Sequence, residues 1–250
     1  MLVMGILNVT PDSFADGGRH NDFEAAVARG LEMIAEGVDI IDIGGESTRP
    51  GADRVSEVEE IARTIPVIAE LAKHGTPISI DTMRARTAHA AVKAGASIIN
   101  DVSGGLADPE MLQTAAELKV PYIAMHWRGQ SKDMNSKAIY ADVVSDVISE
   151  LNVRIEAALA AGIQKDKLII DPGLGFAKDA EHNWAIIDSI DRFVAMGYPV
   201  LVGGSRKRFL GGESPDEREQ ATIQLTKRLG TTGVWAVRVH SVKPHKEVLG

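Results

Sequence analysis

Two periods alternate along the chain. Short runs of apolar, largely β-branched residues recur at 2–8 (LVMGILN), 38–44 (VDIIDIG), 76–82 (TPISIDT) and 97–102 (SIINDV). They continue at 121–126 (PYIAMH), 167–173 (KLIIDPG), 199–205 (PVLVGGS) and 234–240 (VWAVRVH). Runs of this length suit strands covered on both faces, as in a parallel sheet. Between them the apolar positions follow helical spacing. DFEAAVARGLEMIAEG places Ala25, Val27, Leu31, Ile34 and Ala35 on one stripe and ends in Gly37, and EVEEIARTIPVIAELAKHG ends in Gly75. MRARTAHAAVKAG, DPEMLQTAAELK and ADVVSDVISELNVRIEAALAAG keep the same period. Glycine just past a helix supplies the left-handed residue that stops it.

Eight strands with a helical segment after most of them leave two topologies under right-handed crossover, a closed barrel or an open doubly wound sheet. Eight strands in 250 residues with no linker-like stretch favour the barrel. The expected fold is therefore α/β, a single (β/α)8 TIM barrel with residues 1–250 as one domain. Two stretches are irregular. WRGQSKDMNSKAIY (127–140) reads as a polar loop, and GGESPDEREQAT (211–222) as the segment separating strand seven from its helix. The chain stops soon after strand eight, so a short last helix is expected.

Composition narrows the function class. Hydrophobic residues make up 44% of the chain, enough for a sizeable core, yet no apolar stretch approaches the ~20 residues that span a bilayer. The first residues carry no basic region or cleavage signal, so a cytoplasmic protein without a membrane partner is expected. There is no cysteine, which excludes disulfides and thiolate metal sites. A formal net charge of -8 speaks against a nucleic-acid partner, and an anionic ligand would need locally concentrated positive charge.

Such barrels bind ligands at the carboxyl ends of their strands. Here those ends carry Asn8, the GGESTRPG segment, Asp81, Asn100, Met125-His126, Asp171, Ser205 with Lys207, and Arg238 with His240. Carboxylates accept paired N–H donors and an amide both donates and accepts. Asp81, Asn100 and Asp171 thus suit a flat heterocycle with an amino-amidine edge, a pterin or a guanine. Lys207 would reach a ring carbonyl or nitrogen, and Met125 and Phe176 would cover the ring faces. Asn8, Arg49, Ser205, Arg238 and His240 suit phosphate oxygens, with Asn8 offering a hard oxygen to a Mg²⁺ ion that keeps most of its waters. Each residue also has a plainer reading. Asp81 before TMRART is a natural helix N-cap, Asn100 could satisfy loop backbone, SRKR could be a solvated basic patch or a helix start, and His240 could be structural. His126 and His182 carry no assignment. What favours a ligand is that the set complements one molecule.

The motifs GILNVTPDSFADGG, DIGGESTRPG, SIDTMRA, IINDVSGG, IIDPGLGFAK, GGSRKRFLG and VRVH stand in order at the strand ends, and together they resemble the dihydropteroate synthase family over almost the whole chain. HWR and HNWAI resemble its actinobacterial branch. The resemblance implies a transferase of folate biosynthesis. It would condense 6-hydroxymethyl-7,8-dihydropterin diphosphate with 4-aminobenzoate, release diphosphate, and be a target of sulfonamides. It implies Asp81, Asn100, Asp171, Lys207 and Met125 at the pterin. Asn8 would ligate Mg²⁺, and Arg238, His240 and Ser205 would join it at the diphosphate. Phe14, Thr48, Arg49, Pro50, Phe176 and Lys207 would form the aminobenzoate pocket. Asp16, Arg49 and Lys207 would be catalytic, the first two on mobile loops spanning 9–21 and 45–56, and the chain would form a homodimer through helices near its end. Ala15, Ala177 and Ser241 depart from the family's usual Ser, Gly and Asp. The rival readings are a methyltetrahydrofolate-type methyltransferase, which needs no diphosphate cluster, an inactive pterin-binding paralogue, and an unrelated phosphate-binding barrel.

Overall fold

The structure is a computed structural model that describes residues 1–9, 18–46, 55–129 and 134–250. Eight parallel strands form one sheet: β1 (Leu2–Asn8), β2 (Ile40–Gly44), β3 (Ile78–Asp81), β4 (Ile98–Asp101), β5 (Tyr122–Met125), β6 (Leu168–Asp171), β7 (Leu201–Val202) and β8 (Ala236–Val239). The hydrogen-bonded order is β6-β5-β4-β3-β2-β1-β8-β7. A parallel bridge between Ile170 and Val200, with the Ile170 N–H donating to the Pro199 carbonyl at 2.9 Å, joins β6 to the start of β7. That contact closes the ring and excludes the open sheet. Among the described residues the outer layer comprises α1 (Gly18–Ala35), α2 (Glu57–Leu71), α3 (Ala85–Ala94), α4 (Met111–Leu118), α5 (Val143–Ala160), α6 (Ala180–Asp188), α7 (Ile190–Val194), α8 (Glu217–Leu229) and α9 (Lys243–Leu249).

Local chemistry fixes the helix ends. Ser56 caps α2 by accepting from the Glu59 N–H, and Asp142 caps α5 by accepting from the Ser145 N–H. His182, unassigned from sequence, completes a capping box with Asp179 at the start of α6. Gly95 ends α3 with φ near 119°, a conformation side chains resist. One expectation needs correcting. The segment 211–222 does not wholly separate strand seven from its helix, because α8 already begins at Glu217. The Glu217 N–H donates to the Ser214 hydroxyl, and Glu217 and Glu219 in the first turn complement the helix dipole.

The buried apolar side chains form two groups. The larger lies between the barrel and its helices and includes Leu7, Ile41, Ile43, Leu71, Tyr122, Ile170 and Phe193. The smaller unites Met4, Ile40, Ile98, Ile123, Ile169, Leu201 and Ala236. Side chains alternate along a strand, so this second group is a layer inside the barrel. Two residues further along, the inward positions of β2, β4, β5, β6 and β8 are Asp42, Asn100, Met125, Asp171 and Arg238. The interior is thus apolar in its lower layer and polar at the carboxyl end.

One buried carboxylate ties the outer layer to the end of β3. Glu60, on α2, is almost fully buried. It accepts from the Thr82 hydroxyl at 2.6 Å, the Thr87 hydroxyl at 3.1 Å and the Arg84 guanidinium. Thr82 follows Asp81, so this network sets where Asp81 leaves the sheet. Removing one partner of a buried pair leaves the other uncompensated. Glu60→Gln is expected to lower unfolding free energy by about 3 kcal/mol, read as a shift of the urea midpoint at unchanged slope.

Candidate active site

Strand register sets the site's first dimension. Asn8 pairs with Gly44, Gly44 with Asp81, and Asp81 with Asn100, while Met125 pairs with Asp171. Five of the residues singled out from sequence therefore stand at the carboxyl ends of their strands, Asn8, Asp81 and Asn100 linked by register through Gly44 and Met125 beside Asp171. Gly44 opens room there: a Cβ at that position would lie 3.6 Å from Asp81 Oδ2 and 3.7 Å from Asn8 Oδ1. A second cradle lies across the mouth, where a Cβ at Gly203 would lie 3.8 Å from Asp171 Oδ2 and 4.0 Å from Lys207 Nζ.

Arg238 is the counter-ion of this mouth. Its Nε donates to Asp42 at 2.5 Å and its Nη2 to Asp81 at 2.6 Å. The Asn100 amide donates to the same Asp42 oxygen at 3.1 Å. Asp81 is therefore not the N-cap of α3, whose cap residue is Arg84, and Asn100 serves another side chain rather than loop backbone. Arg238 was assigned to the diphosphate. Its two donating nitrogens face Asp42 and Asp81, so toward a diphosphate it contributes charge from this position. Burial pushes the Asp81 carboxyl up to about 7, against the Arg238 charge and with the Asp42 charge adding to the rise. Burial also raises Asp171, opposed by the Gly173 N–H that donates to it at 2.7 Å. Burial would lower Arg238, but Asp42 and Asp81 overcome it, so the guanidinium holds its proton more tightly than usual.

Ser205, after β7, and His240, after β8, stand together. The Ser205 hydroxyl and His240 Nδ1 are 2.9 Å apart, and the His240 N–H donates to the Ser205 oxygen at 3.2 Å. SRKR does not open an α-helix, and only its Arg208 is exposed. Lys207 precedes a single 3-10 turn over Arg208–Leu210, and Arg206 takes a left-handed φ of 56°. Arg206 turns away to Glu219 at 2.6 Å and to the Ser241 hydroxyl at 2.9 Å, while its neighbours Ser205 and Lys207 face the mouth. The Lys207 ammonium donates to the Leu174 carbonyl and lies 4.7 Å from the centre of the Phe176 ring. Desolvation lowers it to about 8, opposed by Asp171. Phe14, Asp16, Thr48, Arg49 and Pro50 lie outside the described residues.

Two features escaped the sequence reading. Asp42 is fully buried inside an apolar run, and its single acidic letter carried little signal without Arg238 beside it. Lys178 and His126 carry no role that their own sequence context points to. The structure joins them, with Lys178 Nζ 2.9 Å from His126 Nδ1.

Fold and site together define a barrel enzyme that seats a polar heterocycle beside an anion. Comparison with known proteins gives the class. Residues 4–240 match the family model described as pterin binding enzyme. The chain is 48% identical to the dihydropteroate synthase of Mycobacterium leprae, over 99% of this chain and 90% of that one. A Xanthomonas albilineans dihydropteroate synthase solved with 4-aminobenzoic acid superimposes with a TM-score of 0.93 at 45% identity, over 99% of this chain and 90% of that one. A Yersinia pestis dihydropteroate synthase in a sulfonamide drug complex gives 0.93 at 40% identity, over 99% and 91%. The chain belongs to the pterin-binding enzymes and, within them, to the dihydropteroate synthases, transferases of folate biosynthesis.

The Lys207 ammonium donates only while protonated, so its contribution is complete below its pKa and lost above it. The alkaline limb of kcat/KM against pH is expected to have its midpoint near 8 rather than at the ordinary lysine value of 10.5. A profile flat to pH 9.5 would contradict this placement.

Proposed function

We propose that the mouth residues divide between the two substrates of a dihydropteroate synthase as follows. Asp171 and Asn100 accept and donate along the amino-amide edge of the dihydropterin, Lys207 reaches the ring's other polar edge, and Met125 packs on its face. Asp81, neutralised by Arg238, completes the carboxylate wall. Ser205 and His240 take the diphosphate, in the field of Arg238. Phe176 and Lys207 line the place of 4-aminobenzoate, with Phe14, Thr48, Arg49 and Pro50 completing it. The observation that carries this reading is the pair of glycine cradles: Gly44 leaves room beside Asn8 and Asp81, and Gly203 beside Asp171 and Lys207.

The chemistry follows from the charges. The dihydropterin CH₂–O bond breaks and diphosphate leaves with the bonding pair, into the field of Arg238, His240 and Lys207. Positive charge left on the methylene carbon spreads into the ring nitrogens, where Asp171 and Asp81 favour it. The 4-aminobenzoate amine attacks that carbon and passes its proton to water or the released diphosphate, with the developing positive charge assigned to Asp16. Among the described residues no group of three His, Cys, Asp or Glu side chains is placed to hold a metal, so a closed protein cage is not offered. The single hard oxygen of Asn8 fits instead a Mg²⁺ ion held mainly by substrate phosphate and water, whose charge would ease departure of the diphosphate. No described helix is long and apolar enough to cross a membrane. We further propose a cytoplasmic homodimer, assembled through the helices near the chain end.

The test is product formation by purified protein from the pterin diphosphate, labelled 4-aminobenzoate and Mg²⁺. Labelled dihydropteroate is expected, suppressed by a sulfonamide and by chelating the metal. Asp171→Asn is expected to weaken pterin diphosphate binding at least about tenfold, as loss of a charged hydrogen-bond acceptor does. Unchanged binding in that variant would overturn the pterin assignment.

A further inference from the structure

The segment from Asp171 to Lys178 carries residues from both halves of the proposed site, and its backbone is pinned at nearly every position. The Gly173 N–H donates to Asp171, the Gly175 N–H to Asn183 at 2.6 Å, and the Phe176 N–H to the Gly173 carbonyl at 3.1 Å. The Leu174 carbonyl accepts from Lys207, and the Ala177 carbonyl from the Tyr140 hydroxyl at 2.9 Å. The carbonyls of Gly173 and Phe176 each accept from Lys178 Nζ at 3.0 Å. The third contact of that ammonium is His126 Nδ1. Lys178 is 8% exposed and His126 1%. An ammonium has three donors, and all three are used here.

The imidazole continues the chain outward. Its Nδ1 faces a donor, so the ring proton sits on Nε2, which lies 2.9 Å from Glu150. Burial and the Lys178 charge lower His126 to about 4, so the ring is neutral, while His126 and Arg128 hold Glu150 down to about 2. Glu150 accepts from Arg128 Nε at 3.0 Å, and the Arg128 guanidinium lies 3.8 Å over the Tyr140 ring. A buried cation is thus connected to a surface carboxylate through one neutral histidine. Burial disfavours the charged lysine and lowers it to about 7, with Lys207 and Arg128 adding to the drop and Asp171 and Glu150 opposing it. Holding so costly a charge needs a return elsewhere in the structure. Lys178 is not placed to touch either substrate in the proposed arrangement, yet the carbonyl it holds belongs to Phe176. Ala177 next to it takes a left-handed φ of 50°, so this turn is held against a local preference for relaxation.

We propose that Lys178 is a positioning residue for the aminobenzoate half of the site, its ammonium held through His126 by Glu150 and tying Gly173 and Phe176 to the end of β5 so that the Phe176 ring stays against Lys207. This rests on the assignment of Phe176 to the aminobenzoate pocket. Asp171 sits on the strand itself, so the pterin side depends less on the tie.

Lys178→Met keeps the length of the side chain and removes its donors. In that variant KM for 4-aminobenzoate is expected to rise at least about tenfold, with kcat and KM for the pterin diphosphate within about threefold of the parent. Glu150→Gln, at a half-exposed position, is expected to move the same KM in the same direction by a smaller factor. Hydrogen exchange read over residues 171–178 needs no substrate and is expected to be faster in both variants. Unchanged exchange there would overturn the proposal, as would equal increases in KM for both substrates. If the parent protein makes no product, the functional reading falls on its own, and the exchange measurement still decides whether Lys178 holds the loop.

Discussion

A closed parallel barrel must fill its own interior, and this one fills the upper part with charge. The consequence is the Arg238 ion-pair set. One guanidinium on β8 holds Asp42 from β2 and Asp81 from β3, and Asp42 in turn orients Asn100 from β4. Four strands meet through one cation. Without it, two buried carboxylates would stand side by side in a poorly solvated ring, a burden that neither burial of the lower apolar layer nor strand pairing offsets. The charge that makes the mouth foldable is also what makes it a ligand site, because acids held in place by a fixed counter-ion cost little reorganisation when a ligand arrives.

The same economy of placement separates the two halves of the mouth. Glycines at 44 and 203 leave space beside Asn8 and Asp81 on one side of the mouth and beside Asp171 and Lys207 on the other. Ser205 and His240 pair on the side proposed for the diphosphate, and the left-handed turn at Arg206 is what lets Ser205 and Lys207 point into the mouth while Arg206 points out to Glu219. The loop after β6 spans both halves. It starts at Asp171, passes Phe176 and ends at Lys178, whose ammonium fastens it to β5 through His126.

The strands, the helices and most of the mouth were legible in the sequence because they depend on local pattern. Apolar runs and helical stripes report burial one segment at a time, and Asn8, Asp81, Asn100, Asp171 and Arg238 announce themselves as polar letters where a strand ends. What was not legible depends on partners far apart in the chain. Asp42 looked like one acid within VDIIDIG until barrel closure set Arg238 beside it, 196 residues away. Lys178 and His126 lie 52 residues apart, and neither has meaning without the other. At Asp81 local pattern alone leaves two readings open. Its local context reads as a helix cap, and only the register with Asn100 and the pairing with Arg238 show that its carboxylate belongs to the mouth.

The central claim is that one ring of strand ends seats the pterin while the Ser205–His240 side receives the diphosphate. A crystal structure of the protein with bound pterin diphosphate tests this most directly. The account predicts the ring within hydrogen-bonding distance of Asp171, Asn100 and Lys207, with the phosphate oxygens at Ser205 and His240. A ring seated away from Asp171 and Asn100, or a diphosphate directed away from His240, would contradict it.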